Sequence, residues 1–173
     1  MKCSEVVGLP VICINSGKQE GVVKDVIFNP REKEATALLL ESQGLRVGQK
    51  IIPVEKVSSF GKNAVMIEDS SSISVLKRTH KKTEANKGEV RGMKVYSKTG
   101  DTLGTVEDVL FDSKSGIIEG LEISDGIYED LMKGRKVLPV IEKVEFGSEN
   151  IIADGKALEE MIDTGGGLKK LLD

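Results

Sequence analysis

The sequence is poor in aromatic residues, which make up 3% of the chain and include no tryptophan. A core with so few rings has to be filled by valine, isoleucine and leucine, as is common in small β-structures. The sequence also lacks a hydrophobic run long enough to cross a bilayer, and its first ten residues contain no signal-peptide core. With 31% charged residues, these absences predict a soluble globular protein.

Cysteine and histidine are nearly absent as well. The two cysteines, Cys3 and Cys13, lack CxxC spacing, which indicates a reducing cytoplasm and no disulfide framework. The single histidine, His80, lies among lysines without the converging ligands that a metal site needs. A net charge of -3 argues against a nucleic-acid coat protein. We therefore expect no metal and no cofactor.

One stretch of the chain occurs twice. Residues 17–29 read GKQEGVVKDVIFN, and residues 100–112 read GDTLGTVEDVLFD. Both follow the pattern of Gly, three residues, Gly, three residues, Asp, an apolar pair and Phe, at a constant offset of 83 residues, as from Gly17 to Gly100. Such self-similarity indicates two copies of one structural unit.

Each copy contains five or six short apolar strands separated by turns. Glycine inside a strand marks a bend or a close backbone approach, and small barrels need such bends to close. The pattern predicts an all-β fold of two tandem small β-barrels, each followed by a short helical segment. The expected domains are residues 1–69 and 89–155, with a helical and polar linker at 70–88 and a helix with a glycine-hinged tail at 156–173.

The helical segments are predicted from caps and apolar spacing. A helix capped by one of the serines at 70–72 would carry Ile73, Val75 and Leu76. A second helix is predicted over residues 156–163, with Ala157, Leu158, Met161 and Ile162 on one face. Three glycines at 165–167 would end it before a short amphipathic tail.

The repeated motif, followed by a polar turn, an apolar strand, Ile-Pro-Val or Leu-Pro-Val and then Glu-Lys-Val, resembles the PRC-barrel. This small β-barrel is shared by the photosynthetic reaction-centre H subunit and the ribosome maturation factor RimM, and the opening residues resemble short bacterial PRC-barrel proteins linked to sporulation. The resemblance implies tandem barrels and a role as an adaptor or assembly module. It implies no shared catalytic residues, so no enzyme activity is expected.

Several constellations invite a catalytic or binding interpretation. Asp25 and Asp108 recur at the same position of the repeated motif, but no titratable partner is identifiable, so we interpret them as acceptors for turn N–H groups or as residues of the barrel rim. Cys13 is expected in the core and Cys3 as a near-terminal bystander. The paired glycines precede a strand and lack a Gly-Lys-Ser/Thr ending, so they are no phosphate loop.

The most informative loop is residues 125–134, an insertion specific to the second copy. It contains Ile127, Tyr128, Leu131 and Met132, whose spacing would place all four on one face of a helical turn. The loop is either a lid on the barrel or a docking patch for a protein partner, since Tyr and Met are favoured at interfaces.

The leading hypothesis is a non-catalytic cytoplasmic adaptor that binds a protein partner through barrel edges or the 125–134 loop, with a homodimer plausible. An alternative is an RNA- or ribosome-associated maturation factor, prompted by the basic segment at 77–82. A third is a small-ligand carrier or enzyme that uses a groove between the barrels.

Overall fold

The structure is a computed structural model that describes residues 1–41, 48–76, 90–126, 130, 134–140 and 144–164. The chain divides into two compact units. The first comprises residues 1–88 and 111–117, and the second comprises residues 89–110 and 118–173. Strands dominate the described part of both units, and the helices are short, so the predicted all-β class with two barrel-like sheets is confirmed.

The elements of the first unit are α1 (Cys3–Val6), β1 (Pro10–Cys13), β2 (Gln19–Asn29), β3 (Glu34–Leu40), β4 (Gln49–Pro53), a 3-10 turn (Val54–Lys56), β5 (Val57–Phe60), β6 (Val65–Ile67), a second 3-10 turn (Ser70–Ser72) and β7 (Ser74–Leu76). The described strands form one sheet in the order β5-β6-β1-β2-β3-β4-β7. All their pairings are antiparallel except the β1–β6 pairing, which is parallel.

The second unit repeats this order with β8 (Lys94–Ser97), β9 (Thr102–Phe111), β10 (Ile118–Ser124), β11 (Lys136–Pro139), β12 (Val144–Phe146), β13 (Asn150–Ala153), α2 (Gly155–Glu159) and β14 (Ile162–Asp163). The described strands lie in the order β12-β13-β8-β9-β10-β11-β14, and the pairing of β13 with β8 is parallel, like that of β6 with β1. Each strand of the first sheet therefore has a counterpart at the same place in the second.

The long strand of each repeat bends at its glycine. Residues 19–22 of β2 pair with β1, and the rest of β2 pairs with β3. In the second unit, β9 likewise lies between β8 and β10, and its Gly104 pairs with Val95 of β8. A β-bulge follows the Val11–Gly21 pair in the first unit and the Val95–Gly104 pair in the second. Bulges increase the local twist, which lets one strand serve two parts of a curled sheet.

The core of each sheet is aliphatic, as predicted. Fully buried residues include Leu38 and Ile52 in the first unit and Leu121 and Leu138 in the second. Three phenylalanine rings form one aromatic cluster. Phe111 belongs to the first unit, where its fully buried ring meets Phe28 and Phe60 edge to face, with centroids 6.1 and 6.0 Å away. The sequence did not predict that the phenylalanine of the second motif belongs to the core of the first unit.

The turn after Phe111 also lies in the first unit. The Ala35 N–H donates to the Gly116 carbonyl at 2.7 Å, and Ile117 forms a β-bridge with Glu34 at the start of β3. Gly116 has a φ of +78°, and a Cβ atom there would lie 2.7 Å from the Ala35 carbonyl oxygen. The backbones approach this closely only because residue 116 has no side chain.

The segments after the barrels differ from the prediction. Asp69 caps the 3-10 turn by accepting from the Ser71 N–H, and Val75 lies in strand β7 rather than in a helix. Asp154 caps α2 in the same way, but α2 ends at Glu159 and Ile162 lies in β14. The prediction of a helix over residues 156–163 was therefore wrong in its second half. Residues 162–163 pair with β11, which provides backbone hydrogen-bond partners that the last turn of a helix lacks.

The offset of 83 residues between the repeats does not extend to the strand that precedes the repeated motif. At an offset of 83 residues, residues 94–97 would correspond to residues 11–14, whereas the strands match Lys94–Ser97 with Pro10–Cys13. The bulges confirm this register, since Val11 and Val95 each pair with the bend glycine. The second repeat is therefore one residue shorter between this strand and the bend glycine.

Candidate functional site

The outer edges of the two sheets offer the clearest candidate site. β7 is the last described strand of the first sheet, and β14 holds the same place in the second. Val75 on β7 is 54% exposed and Ile162 on β14 is 63% exposed, although both are large and β-branched. An apolar side chain on an unpaired strand edge is unfavourable in water and suits pairing with another chain.

The hydrogen-bond pattern between β14 and β11 shows which backbone groups of β14 point away from the sheet. The Thr164 N–H donates to the Arg135 carbonyl at 2.9 Å, and Ile162 stands opposite Val137. Hydrogen-bonded and non-hydrogen-bonded pairs alternate in an antiparallel ladder, so the Asp163–Lys136 pair between them is the non-hydrogen-bonded kind. The N–H and C=O of Asp163 therefore point away from β11.

An open cleft of about 390 Å³ lies in the second unit beside this edge. It is lined by Thr102, Leu103, Gly104, Asp125, Lys136 and Met161. The lining is mixed, and the one pair of charges in it, Lys136 Nζ and Asp125 Oδ2, is 3.0 Å apart and partly exposed. A paired lysine and aspartate favour polar contacts at the surface over acid–base chemistry.

A second charged cluster surrounds Arg135. Its guanidinium lies 3.0 Å from Glu122 Oε1, 3.2 Å from Asp130 Oδ2 and 3.9 Å from Glu107 Oε2. The Glu122 side chain is only 6% exposed, and its hydrogen bond is the largest of the effects that raise the pKa of Arg135. Because the arginine stays charged and compensates a buried carboxylate, the cluster is a structural one. The sequence did not indicate this cluster, because its members come from separate segments of the chain.

The repeated aspartates occupy structural positions. Asp25 Oδ1 accepts from the Val26 N–H at 2.8 Å, and Asp108 Oδ1 accepts from the Val109 N–H at 2.9 Å. Asp108 is buried and Asp25 half-buried. Each carboxylate thus accepts from the next backbone N–H of its own strand, whereas turn N–H groups were predicted as the donors.

The cysteines are both buried and free. Cys13 is a core residue of β1, as predicted, and a hydrogen bond with Ser16 lowers the pKa of its thiol. Cys3 was wrongly predicted to be a bystander. It is fully buried in α1, with its sulfur 3.9 Å from Asp25 Oδ1, because α1 packs on β2.

The remaining predicted site residues lie outside the described part of the chain. These are the docking residues Ile127, Tyr128, Leu131 and Met132, together with His80, the basic residues at 77–82 and the tail at 168–172. Within the described residues, no group of three or more His, Cys, Asp or Glu side chains is arranged to hold a metal ion. None of the helices in that part has the length and apolar character needed to cross a bilayer.

Comparison with known proteins agrees with the two-unit architecture. The PRC-barrel domain profile matches the chain twice, over residues 1–73 and 83–160. The chain is also similar to the "uncharacterized protein YrrD" of Bacillus subtilis (strain 168), with 26% identity over 155 residues that cover 88% of this chain and 87% of that protein. Neither match indicates a catalytic family. The chain belongs to the PRC-barrel domain family and carries two copies of the domain.

Proposed function

We propose that this protein is a non-catalytic adaptor or assembly module that binds a protein partner through the outer strand edges of its sheets. The observation that carries the proposal is the exposure of Ile162, 63%, on the edge strand β14. Val75, exposed to 54% on β7, repeats the feature in the first unit. Each of these outermost described strands therefore carries one exposed apolar side chain, although the two side chains hold different ladder positions: Val75 pairs with Lys50, whereas Ile162 pairs with Val137.

Strand addition fits these edges physically. An extended segment that pairs with an edge strand gains main-chain hydrogen bonds, and its alternate side chains contact those of the edge. Burial of an exposed isoleucine contributes about 1.5–3 kcal/mol, which supplements the few hydrogen bonds that a short edge offers. Both edges are short, which limits indiscriminate aggregation and favours a partner with matching side chains.

The non-catalytic part of the proposal is supported by how the titratable groups are used. Asp25 and Asp108 accept from their own strands, and Glu122 compensates Arg135. The charges in the open cleft are paired with each other. Among the described residues these groups have structural tasks, which suits a binding module better than an enzyme.

The 125–134 loop remains a predicted second contact. Its docking residues lie outside the described part of the chain, but Asp130 within it binds Arg135 at 3.2 Å. We propose that Tyr128→Ala combined with Met132→Ala weakens partner binding or self-association without lowering the melting temperature. Sedimentation and thermal melts of the double variant test this. A large loss of melting temperature with unchanged association would instead favour a lid.

We also propose the cytoplasm as the compartment and retain the predicted domain boundaries. Two buried free thiols suit a reducing environment. The barrels are assigned to residues 1–69 and 89–155, with connecting segments at 70–88 and 156–173.

Site-specific photo-crosslinking tests the adaptor function. A benzophenone amino acid is placed at Ile162, at Val75 and, as a control, at Ile14, which is 48% exposed but follows the central strand β1. We expect ultraviolet irradiation in the native cell to join one discrete protein to the edge positions and not to Ile14. Equal adducts at all three positions, or none at either edge, would overturn the proposal.

A further inference from the structure

We infer that the β14 edge recognises an extended protein segment in which basic and apolar side chains alternate. This inference rests on the proposed function and specifies the chemistry of its partner. It follows from three features of one short stretch: the outward backbone groups of Asp163, the exposed side chain of Ile162, and the acidic surroundings of both.

The backbone geometry of β14 determines how an added strand would pair with it. The N–H and C=O of Asp163 point away from β11, so they provide one donor and one acceptor for an added strand. Side chains of directly opposed residues on neighbouring strands share a face, whereas successive residues alternate. The residue opposite Asp163 therefore lies beside a carboxylate, and the residue opposite Ile162 lies beside an exposed apolar side chain.

The charges around the edge favour a basic occupant. Glu159, Glu160 and Asp163 are exposed, and no ion pair with another described residue neutralises them. Lys136 stands opposite Asp163 across the ladder, but its Nζ lies 3.0 Å from Asp125.

The other basic side chain at this end of β11 is also engaged, since Arg135 binds Glu122 and Asp130. An acidic segment would be repelled from the edge, whereas lysine or arginine would meet carboxylates that have no ion-pair partner among the described residues.

Binding of synthetic peptides to the full chain tests the inference. The probe is the capped peptide Lys-Val-Lys-Val-Lys, with a glutamate-for-lysine analogue and an analogue whose central amide is N-methylated. Amide chemical shifts of the labelled protein report both the site and the affinity. We expect the basic peptide to shift residues 161–164, and both analogues to bind at least about tenfold more weakly.

Matched charge reversals separate local recognition from general attraction. Glu160→Lys with Asp163→Lys is expected to weaken peptide binding at least about fivefold. Glu119→Lys with Glu149→Lys changes two exposed carboxylates elsewhere in the second unit and alters the net charge equally, so its affinity should stay near that of the parent.

Asp163→Pro removes the outward N–H as well as the carboxylate, and it should weaken binding more than Asp163→Ala. Three results would overturn the inference. They are an equal loss of peptide affinity in both charge-reversed variants, equal affinity of the glutamate analogue, and amide chemical-shift changes on other strands. If crosslinks form at Ile162 to a segment that is not basic, the adaptor function stands and only this partner chemistry is wrong. If neither peptide nor crosslink is found there, both proposals are wrong.

Discussion

The rings of Phe28 and Phe111 meet edge to face with their centroids 6.1 Å apart and their planes at 75°. The two residues occupy the same position of the repeated motif, and yet both belong to the core of the first unit. Phe111, although it belongs to the second copy of the motif, therefore contributes to the stability of the first unit.

Replacement of Phe111 by alanine should destabilise the first unit. The ring is fully buried against Phe28 and Phe60, so its removal should cost about 3–5 kcal/mol. Hydrogen exchange should show lost protection in β2 and β3. Phe146→Ala is the control, because that partly exposed ring on β12 should cost less and should leave β2 and β3 protected. Loss of protection confined to the second unit after Phe111→Ala would contradict the assignment.

The two bend glycines should tolerate alanine very differently. A Cβ at Gly104 would lie 2.3 Å from the Ser124 carbonyl oxygen, and its φ is +133°, so Gly104→Ala should cost about 2–5 kcal/mol through strain and overpacking. At Gly21 the nearest atom would be Leu40 Cδ1 at 3.3 Å, a side-chain atom that can shift.

Gly21→Ala should therefore cost less than about 2 kcal/mol. Urea unfolding of the two variants measures the difference. Equal losses would show that the bend, rather than the close contact with Ser124, sets the requirement for glycine.

The Arg135 cluster should stabilise the second unit by compensating Glu122. Arg135→Leu leaves a buried carboxylate next to two others and should cost about 1–3 kcal/mol, less than for a fully buried pair because the Arg135 side chain is 43% exposed. Combination with Glu122→Leu should recover part of this loss, since the charge that needs compensation is gone.

Asp125→Ala is the comparison. The Asp125–Lys136 pair has the same 3.0 Å distance, but Asp125 is 32% exposed and Glu122 only 6%, so this pair should contribute at most about 1 kcal/mol. Denaturant titrations of the three variants and the parent protein measure these differences. A double variant less stable than Arg135→Leu alone would show that Glu122 has another structural task.

Acid should weaken the turn that follows Phe111. Hydrogen bonds from the Ser115 N–H, the Ser115 hydroxyl and the Lys114 N–H lower the pKa of Asp112. Because the folded pKa is below the unfolded one, the contribution is complete above about pH 4 and is lost as pH falls through the lowered value.

Asp112→Asn removes the charge, so thermal melts should show lower stability at neutral pH and a smaller further loss in acid. Some acid dependence should persist, because a hydrogen bond with Ser71 lowers the pKa of Asp69 in the same direction. An unchanged acid slope in Asp112→Asn would contradict the assignment.

Local patterns in the sequence predicted much of the fold. The repeated Gly-x-x-x-Gly-x-x-x-Asp motif indicated two equivalent units, and both bend glycines lie beside a bulge as expected of glycine in a strand. Pro53 ends β4 and Pro139 ends β11, in agreement with the missing N–H of proline. The aliphatic core followed from composition.

Contacts distant in sequence were not predictable in this way. Nothing local marks Glu122 as a buried carboxylate, because its burial depends on Arg135 from another element. The exposure of Ile162 was not predicted, because the spacing of the apolar residues around it is also typical of one face of a helix. Pairing with β11 places this residue in a strand instead.

The sequence by itself determined that the chain is a duplicated β-structure with aliphatic cores, because strand period, bend glycines and turn residues act over a few neighbouring positions. Only the tertiary structure decided that Phe111 packs in the first unit, that Gly104 and not Gly21 has no room for a methyl group, and that β14 forms an exposed edge. These properties depend on which atoms of distant segments come into contact, and folding settles that by packing and pairing the whole chain.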